Sequence, residues 1–190
     1  MAKIEFNTLV NEIRGAVDKV VLRKYKGRII LARKAQYEGE PSAAQVAHHK
    51  RFQEATDFGK SVLADPAVRP LYEQAADERE LPIMAVCVSD YFNAPSVTVL
   101  EPMDYTGKAG DRLTITTHDD FGVVRVNVQI SDDDQGTLIE SGQAVETAPG
   151  SGKWVYSATT PVTPGMMVQF QATAFDRPGN SGVQRCAKRI

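Results

Sequence analysis

Val168-Gln169-Phe170-Gln171-Ala172-Thr173-Ala174-Phe175-Asp176-Arg177-Pro178-Gly179-Asn180-Ser181-Gly182 is the stretch that decides how the second half of the chain folds. From Val168 to Ala174, apolar and small side chains alternate with polar ones, which is the period of a strand with one buried face. Pro178-Gly179-Asn180 then supplies the backbone angles of a sharp reversal. The stretch predicts a β-hairpin whose second strand runs from Val183 to Ile190.

Short runs of β-forming residues fill the chain from Ser96 onward. Turn signals separate these runs roughly every eight to twelve residues, and about seven such strands in about 95 residues are typical of an immunoglobulin-like sandwich. Trp154 lies in the middle of one run, which favours a place in the core. The runs before the hairpin are Val97–Leu100, Leu113–Thr117, Val124–Ile130, Thr137–Ile139, Ala144–Val145 and Lys153–Ser157.

Three motifs in this region carry a resemblance to a known family. They are Asp120-Phe121-Gly122-Val123 before a valine-rich strand, Gly152-Lys153-Trp154-Val155-Tyr156, and Ala172-Thr173-Ala174-Phe175-Asp176 closed by Gly179-Asn180. With these motifs, residues 96–190 resemble the bacterial immunoglobulin-like repeats of surface and adhesion proteins. The resemblance implies a β-sandwich rather than an activity. The cysteine pair and tyrosine corner of antibody domains are absent from the sequence, which argues against an immune-type domain.

Residues 1–94 predict an α+β domain, and they resemble only uncharacterised small bacterial proteins. Asn93-Ala94-Pro95 breaks the last helix, so we expect the domain boundary there, with the sandwich over residues 95–190. Apolar residues at three- and four-residue steps predict the helices. The predicted helices are Phe6 to Val17, a helix capped by Ser42 and running to about Ala64, Pro66 to about Arg79, and Pro82 to Phe92.

A basic β-hairpin is predicted between the first and second predicted helices, because Val20–Tyr25 and Arg28–Arg33 flank a glycine. Three interpretations of its charge stay open: protection of an exposed sheet edge, contact with an acidic protein or neighbouring subunit, and binding of nucleic acid. Tyr25 alone is too few aromatics for base stacking, which disfavours nucleic acid. The predicted partner-binding residues are Arg23, Lys24, Lys26, Arg28, Arg33 and Lys34.

A cluster of oxygen-bearing side chains is predicted at one end of the sandwich. In a seven-strand sandwich the second-to-third and sixth-to-seventh connections lie at the same end as the domain's N-terminus. That topology brings Asp119 and Asp120 near Asp176 and Asn180. These residues suit turns, a polar contact with the first domain, or a hard cation such as calcium. No other cofactor is indicated.

Motifs of catalysis are missing from the sequence. It contains no nucleophile elbow, zinc-protease helix motif, phosphate-binding glycine loop or dinucleotide fingerprint, so we expect a protein that is not an enzyme. A net charge of −2 gives no global attraction to nucleic acid or anionic membranes. No apolar run approaches the ~18 residues of a membrane span. Without a signal peptide the chain is expected in the cytoplasm, with export by a leaderless route or in an assembly left open.

These observations favour a structural or assembly protein that contacts a protein partner or copies of itself. The assembly is phage-like, filamentous or at a surface, and strand addition at an exposed sheet edge supplies the contact. One alternative is a ligand- or glycan-binding accessory module that uses loops at the sandwich end. The other is nucleic-acid binding through the basic hairpin.

Overall fold

The computed structural model describes residues 15–17, 19–25, 28–34 and 39–190. They form two compact units, residues 1–46 and 47–190, and the division falls in the first turn of a long helix. The helices and the sandwich therefore belong to one compact unit. Asn93-Ala94-Pro95 is the link between its last helix and its first sandwich strand.

The first unit contains a three-stranded antiparallel sheet of β1 (Gly15–Val17), β2 (Val20–Tyr25) and β3 (Arg28–Arg33). The predicted hairpin is confirmed, since Tyr25 pairs with Arg28 across the turn. The helix predicted from Phe6 to Val17 is wrong at its end, where Gly15–Val17 pairs with β2. Glycine disfavours a helix and valine favours a strand, so pairing prevails there. Residues 6–14 of that predicted helix lie outside the described residues.

Three helices follow: α1 (Ala43–Ala64), α2 (Arg69–Arg79) and α3 (Ile83–Phe92). The predicted cap of α1 is confirmed, because the Gln45 amide donates to Ser42 Oγ at 3.3 Å and Ser42 N donates to Gln45 Oε1 at 2.8 Å. The predicted α3 is confirmed as well, and Pro82 is the residue before its first turn. None of the three helices combines the length and apolar character needed to cross a bilayer.

Helix α2 begins three residues later than predicted. Pro66 lies in a turn, in which the Asp65 carboxylate accepts the amide of Ala67 at 2.9 Å. The proline in the first turn of α2 is Pro70. A proline fits that position because its missing N–H is not needed there.

The predicted sandwich has eight strands, where about seven were expected, in two four-stranded antiparallel sheets. One sheet has the order β4-β5-β9-β8 and the other β11-β10-β6-β7. The hairpin predicted from Val168 to Gly182 is β10–β11, and Phe175 pairs with Ser181 at its turn. The strands are β4 (Ser96–Glu101), β5 (Arg112–His118), β6 (Arg125–Asp132), β7 (Leu138–Gln143), β8 (Val145–Glu146), β9 (Lys153–Ser157), β10 (Met167–Phe175) and β11 (Ser181–Arg189).

The core of the sandwich is built from the inward faces of these strands. Alternate residues of β10 are buried without exception, as the sequence pattern predicted. Trp154 is buried too, and its Nε1 donates to Thr117 Oγ1 at 3.1 Å, so the predicted core position is confirmed. A second, smaller core holds the helices together around Tyr72, Val86 and Cys87.

Candidate functional site at the junction of helices and sandwich

The β5–β6 and β10–β11 connections lie at the end of the sandwich that contacts the helices. Asp119 and Asp120 belong to the first connection, Asp176 and Asn180 to the second. Asn93, at the C-terminus of α3, donates to Asp120, and Asn180 donates to the carbonyl of Tyr91 in the same helix. The two connections therefore meet at the end of α3.

Asp120 connects the first loop to two helices. Its Oδ2 accepts a hydrogen bond from Asn93 Nδ2 at 2.7 Å, and its main-chain carbonyl accepts one from the Arg79 guanidinium at 3.2 Å. Asp119 instead closes its own turn, because its Oδ2 accepts the amide of Phe121 at 2.9 Å. One of the two aspartates thus holds the helices and the other shapes the loop.

Asp176 and Asn180 form the second connection. Asp176 Oδ1 accepts the amides of Gly179 at 2.8 Å and Asn180 at 2.6 Å, and its Oδ2 accepts Asn180 Nδ2 at 2.8 Å. The same Nδ2 donates to the carbonyl of Tyr91 in α3 at 3.1 Å. Gly179 has a φ of 97°, which a residue with a side chain rarely adopts. The hairpin turn is therefore pre-shaped to hold the end of α3.

An aromatic stack covers the junction beside these polar contacts. The rings of Tyr72 in α2 and Phe121 in the β5–β6 loop lie 4.7 Å apart at 14°. The Arg79 guanidinium lies 4.8 Å from the Phe121 centroid, a cation–π contact. Phe121 packs against the small helical core, so this side chain of the β5–β6 loop joins the sandwich to the helices.

A buried carboxyl group, Asp90 of α3, lies at the centre of the junction. Its exposed fraction is 1 %, and its Oδ2 accepts the Tyr72 hydroxyl at 2.5 Å. Its other oxygen, Oδ1, has no hydrogen-bond partner among the described residues. A buried carboxylate with a free oxygen is costly unless it is protonated or paired.

The pKa of Asp90 is raised to about 6. Burial is the largest cause, and the negative charges of Asp119 and Asp176 add to it. The Tyr72 hydroxyl and the positive charge of Arg177 act in the opposite direction. The pKa of Asp176 is also raised by burial, against the hydrogen bonds from its own turn. Burial thus raises the pKa of two carboxyl groups at this junction, Asp90 and Asp176.

The four predicted cation ligands are engaged in these local contacts. Within residues 39–190 and the described strands before them, no group of three or more histidine, cysteine, aspartate or glutamate side chains is arranged to hold a metal ion. The contacts of Asp120 and Asn180 with the helices match the polar-contact interpretation, and those of Asp119 and Asp176 match the turn interpretation. Calcium binding at this end stays a prediction.

The six predicted partner-binding residues lie in the first unit. Arg33 and Lys34 are exposed, and the Lys34 amide donates to the carbonyl of Lys19 at 2.7 Å. Lys26 lies outside the described residues. The side chains of Arg23, Lys24 and Arg28 lie outside the described part of the chain, although their main chains belong to the β2–β3 hairpin. The role of the hairpin therefore stays a prediction.

Asp90, Tyr72 and Arg79 are junction residues that sequence reasoning missed. The available signal was a single acidic residue, Asp90, in the otherwise apolar run of α3. Such a residue in a buried helix needs a partner. Its partner Tyr72 lies 18 residues earlier on another helix, which helical periodicity alone does not identify.

Two concave surfaces lie on the sandwich. A hollow of about 180 Å³ at its junction end is lined by His118, Asp119 and Ser151 among others. A longer groove of about 560 Å³ runs between β7 and the β8–β9 pair. Comparison with known proteins finds no matching family model and no similar curated protein.

Proposed function

We infer that this chain is a non-enzymatic structural or assembly protein that makes contacts with other protein chains. The sandwich is of the bacterial immunoglobulin-like kind, and its setting is a phage-like, filamentous or surface assembly. The observation that carries this proposal is the sheet edge at β7 and β8, beside which the described residues place no further strand, with Leu138 55 % exposed and Val145 72 % exposed. Unpaired edges with exposed apolar residues are favourable places for another chain to add.

The use of the polar residues at the sandwich end supports the same function. Asp120 and Asn180 hydrogen-bond to the helices, and Asp176 closes its turn. These groups stabilise one rigid arrangement of loops and helices. A rigid support of this kind suits a module that presents surfaces to other chains.

The first turns of α1 supply a second exposed surface. Residues 47–54 are all exposed, Phe52 is 49 % exposed, and the first buried residue of the helix is Ala55. A helix gains most of its stability from packing one face. The exposed segment is therefore a further candidate for contact with a partner.

Sedimentation velocity over a wide concentration range tests the proposal. We expect association that grows with concentration, because the exposed edge is present in every copy. A chain that stays monomeric at every concentration, and that captures no chain encoded beside it in the same operon, contradicts the proposal.

A ligand-binding role is the second candidate, and the hollow at the sandwich end favours it. The hollow is lined by polar groups, including His118, Asp119, Glu146 and Ser151, which can hydrogen-bond a polar ligand such as a glycan. Calorimetric titration with soluble oligosaccharides tests it, and heat signals that are equal for the wild type and for Ser151→Trp argue against the hollow.

Nucleic-acid binding by the basic hairpin is the third candidate. Exposed Arg33 and Lys34 lie at the end of β3. Phosphate contacts predict binding that weakens steeply with salt in a gel shift. An unchanged mobility at low salt removes this candidate.

A further inference from the structure

We propose that two copies of this chain join through their β7 edges, so that two four-stranded sheets become one eight-stranded sheet. This inference rests on the proposed assembly function and identifies the partner as a second copy. Three features of the β7 groove carry it: the outward main-chain groups of β7, a glycine at the centre of the edge, and opposite charges on the two sides of that glycine.

The first feature is the direction of the main-chain groups in β7. The Ala144 amide donates to the carbonyl of Val126 in β6. Because the direction of main-chain groups alternates along a strand, Gly142 and Glu140 also point their N–H and C=O groups at β6. Ser141 and Gln143 therefore point theirs away from β6. Because β7 is the last strand of its sheet, these groups face the groove without a neighbouring strand in residues 39–190.

The other wall of the groove is also incomplete. Strand β8 pairs with only Val155 and Trp154 of β9. The Ala158 amide donates to the carbonyl of Asp111, the residue before β5. Because the direction of main-chain groups alternates along a strand, the N–H and C=O groups of Ser157 point the other way, into the groove. Ser157 lines the groove together with Ser141 and Gln143. The groove thus lies where both sheets leave main-chain groups open.

The second feature is Gly142 at the middle of the edge. A Cβ at this residue would lie 2.8 Å from the Tyr156 ring, so Gly142 lies directly against the floor of the groove. In an antiparallel pair centred on Gly142, Ser141 of one copy lies opposite Gln143 of the other. The main-chain N–H and C=O groups of both residues point away from β6. Ser141 of each copy can therefore exchange two hydrogen bonds with Gln143 of the other copy, once on each side of the two-fold axis.

The third feature is the charge on either side of this centre. On β9, Tyr156 lies beside Gly142 at the centre of the groove. To one side of it, Ser157 pairs with Arg112 of β5. To the other side, Trp154 pairs with Glu146 of β8. Arg112 and Glu146 therefore line opposite ends of the groove. A two-fold axis at Gly142 brings Arg112 of one copy to the end that carries Glu146 of the other. The groove is complementary in charge to itself.

Natural proteins protect edges with inward charges and bulges, and the first half of β7 has both. Glu140 is buried, where its Oε2 accepts the amides of Thr159 and Thr160, and the β6–β7 register shifts between Ile130 and Ser131. These devices precede Ser141. The second half of β7 lacks them, and it is the half that lines the groove.

Two edge variants test the inference by light scattering and sedimentation. Ser141→Pro removes an outward N–H while keeping the bonds to β6, and Gln143→Lys places a charge on the edge. We expect each to weaken dimerisation about tenfold or more, because the axis doubles every lost contact. Val183→Lys, on the opposite edge of the same sheet, is the control and is expected to leave the dimer intact. Circular dichroism melts verify that each variant folds.

The possible outcomes separate this inference from the proposed function. A dimer lost in both edge variants and kept in the control supports the β7 interface. A wild-type oligomer that persists in folded Ser141→Pro and Gln143→Lys overturns the β7 interface and leaves the assembly function standing. A wild type that is monomeric at all concentrations overturns the inference, while capture of a different partner chain then decides the assembly function separately.

Discussion

Replacing Asp90 by asparagine is expected to stabilise the protein, and the gain is expected to depend on pH. The raised pKa means that the folded state binds a proton at Asp90 more tightly than the unfolded state does. This carboxyl group therefore contributes most to stability below pH 3.8, and the contribution is lost as the pH rises through about 6. Asparagine carries no charge, and its amide oxygen still accepts the Tyr72 hydroxyl.

The magnitude follows from the two pKa values. The difference between 3.8 and about 6, at about 1.4 kcal/mol per pH unit, corresponds to about 3 kcal/mol. At pH 7.5 this is expected as a gain in the free energy of unfolding of Asp90→Asn, reduced by about 1 to 2 kcal/mol because the asparagine NH2 takes the place of the partnerless Oδ1. At pH 4 the carboxyl is almost fully protonated in the folded state and about half ionised in the unfolded state, so less than about 1 kcal/mol is expected.

Urea unfolding at pH 4 and pH 7.5 measures both gains. Asp134→Asn is the matched control, because it removes the same charge from an exposed turn and is expected to change stability by less than about 0.5 kcal/mol. The reasoning is refuted if Asp90→Asn is less stable than the wild type at pH 7.5, or if its gain is the same at both pH values.

Two further perturbations test other parts of the account. Gly182→Ala is expected to lower the free energy of unfolding by about 3 kcal/mol or more, because its Cβ would collide with the Pro95 carbonyl oxygen. A urea titration that shows no loss of stability contradicts this close approach of β11 to the residue before β4. A thermal melt in calcium against one in chelator is expected to give equal midpoints, because the four candidate ligands are already engaged. A higher midpoint in calcium contradicts this expectation and supports the cation interpretation.

The strands and helices were readable from the sequence where local signals agreed. Alternation from Val168 to Ala174 and the Pro-Gly-Asn turn both predict the β10–β11 hairpin, which the structure has. Pro82 before an apolar run correctly predicts α3. Gly15–Val17 was missed because three residues carry little periodicity, and pairing with β2 determines their conformation.

The candidate site was readable only in part. Sandwich topology correctly predicts that the loops of Asp119 and Asp176 meet at the end next to the helices. The pairing of Asp90 with Tyr72 depends on how α2 and α3 pack, which no spacing rule encodes. The open edge at β7 depends on strand order, and Thr137–Ile139 gave no sign in the sequence of which side lacks a neighbour.

Hydrogen exchange of the Ser141 and Gln143 amides, followed at increasing protein concentration, tests the central claim most directly. Both N–H groups point away from β6, so in isolated chains they are expected to exchange fast, while the Ala144 amide, bonded to Val126, exchanges slowly. The account predicts that exchange at Ser141 and Gln143 slows as concentration rises and that Ala144 stays slow throughout. Exchange at Ser141 and Gln143 that stays fast while the chain associates contradicts the account.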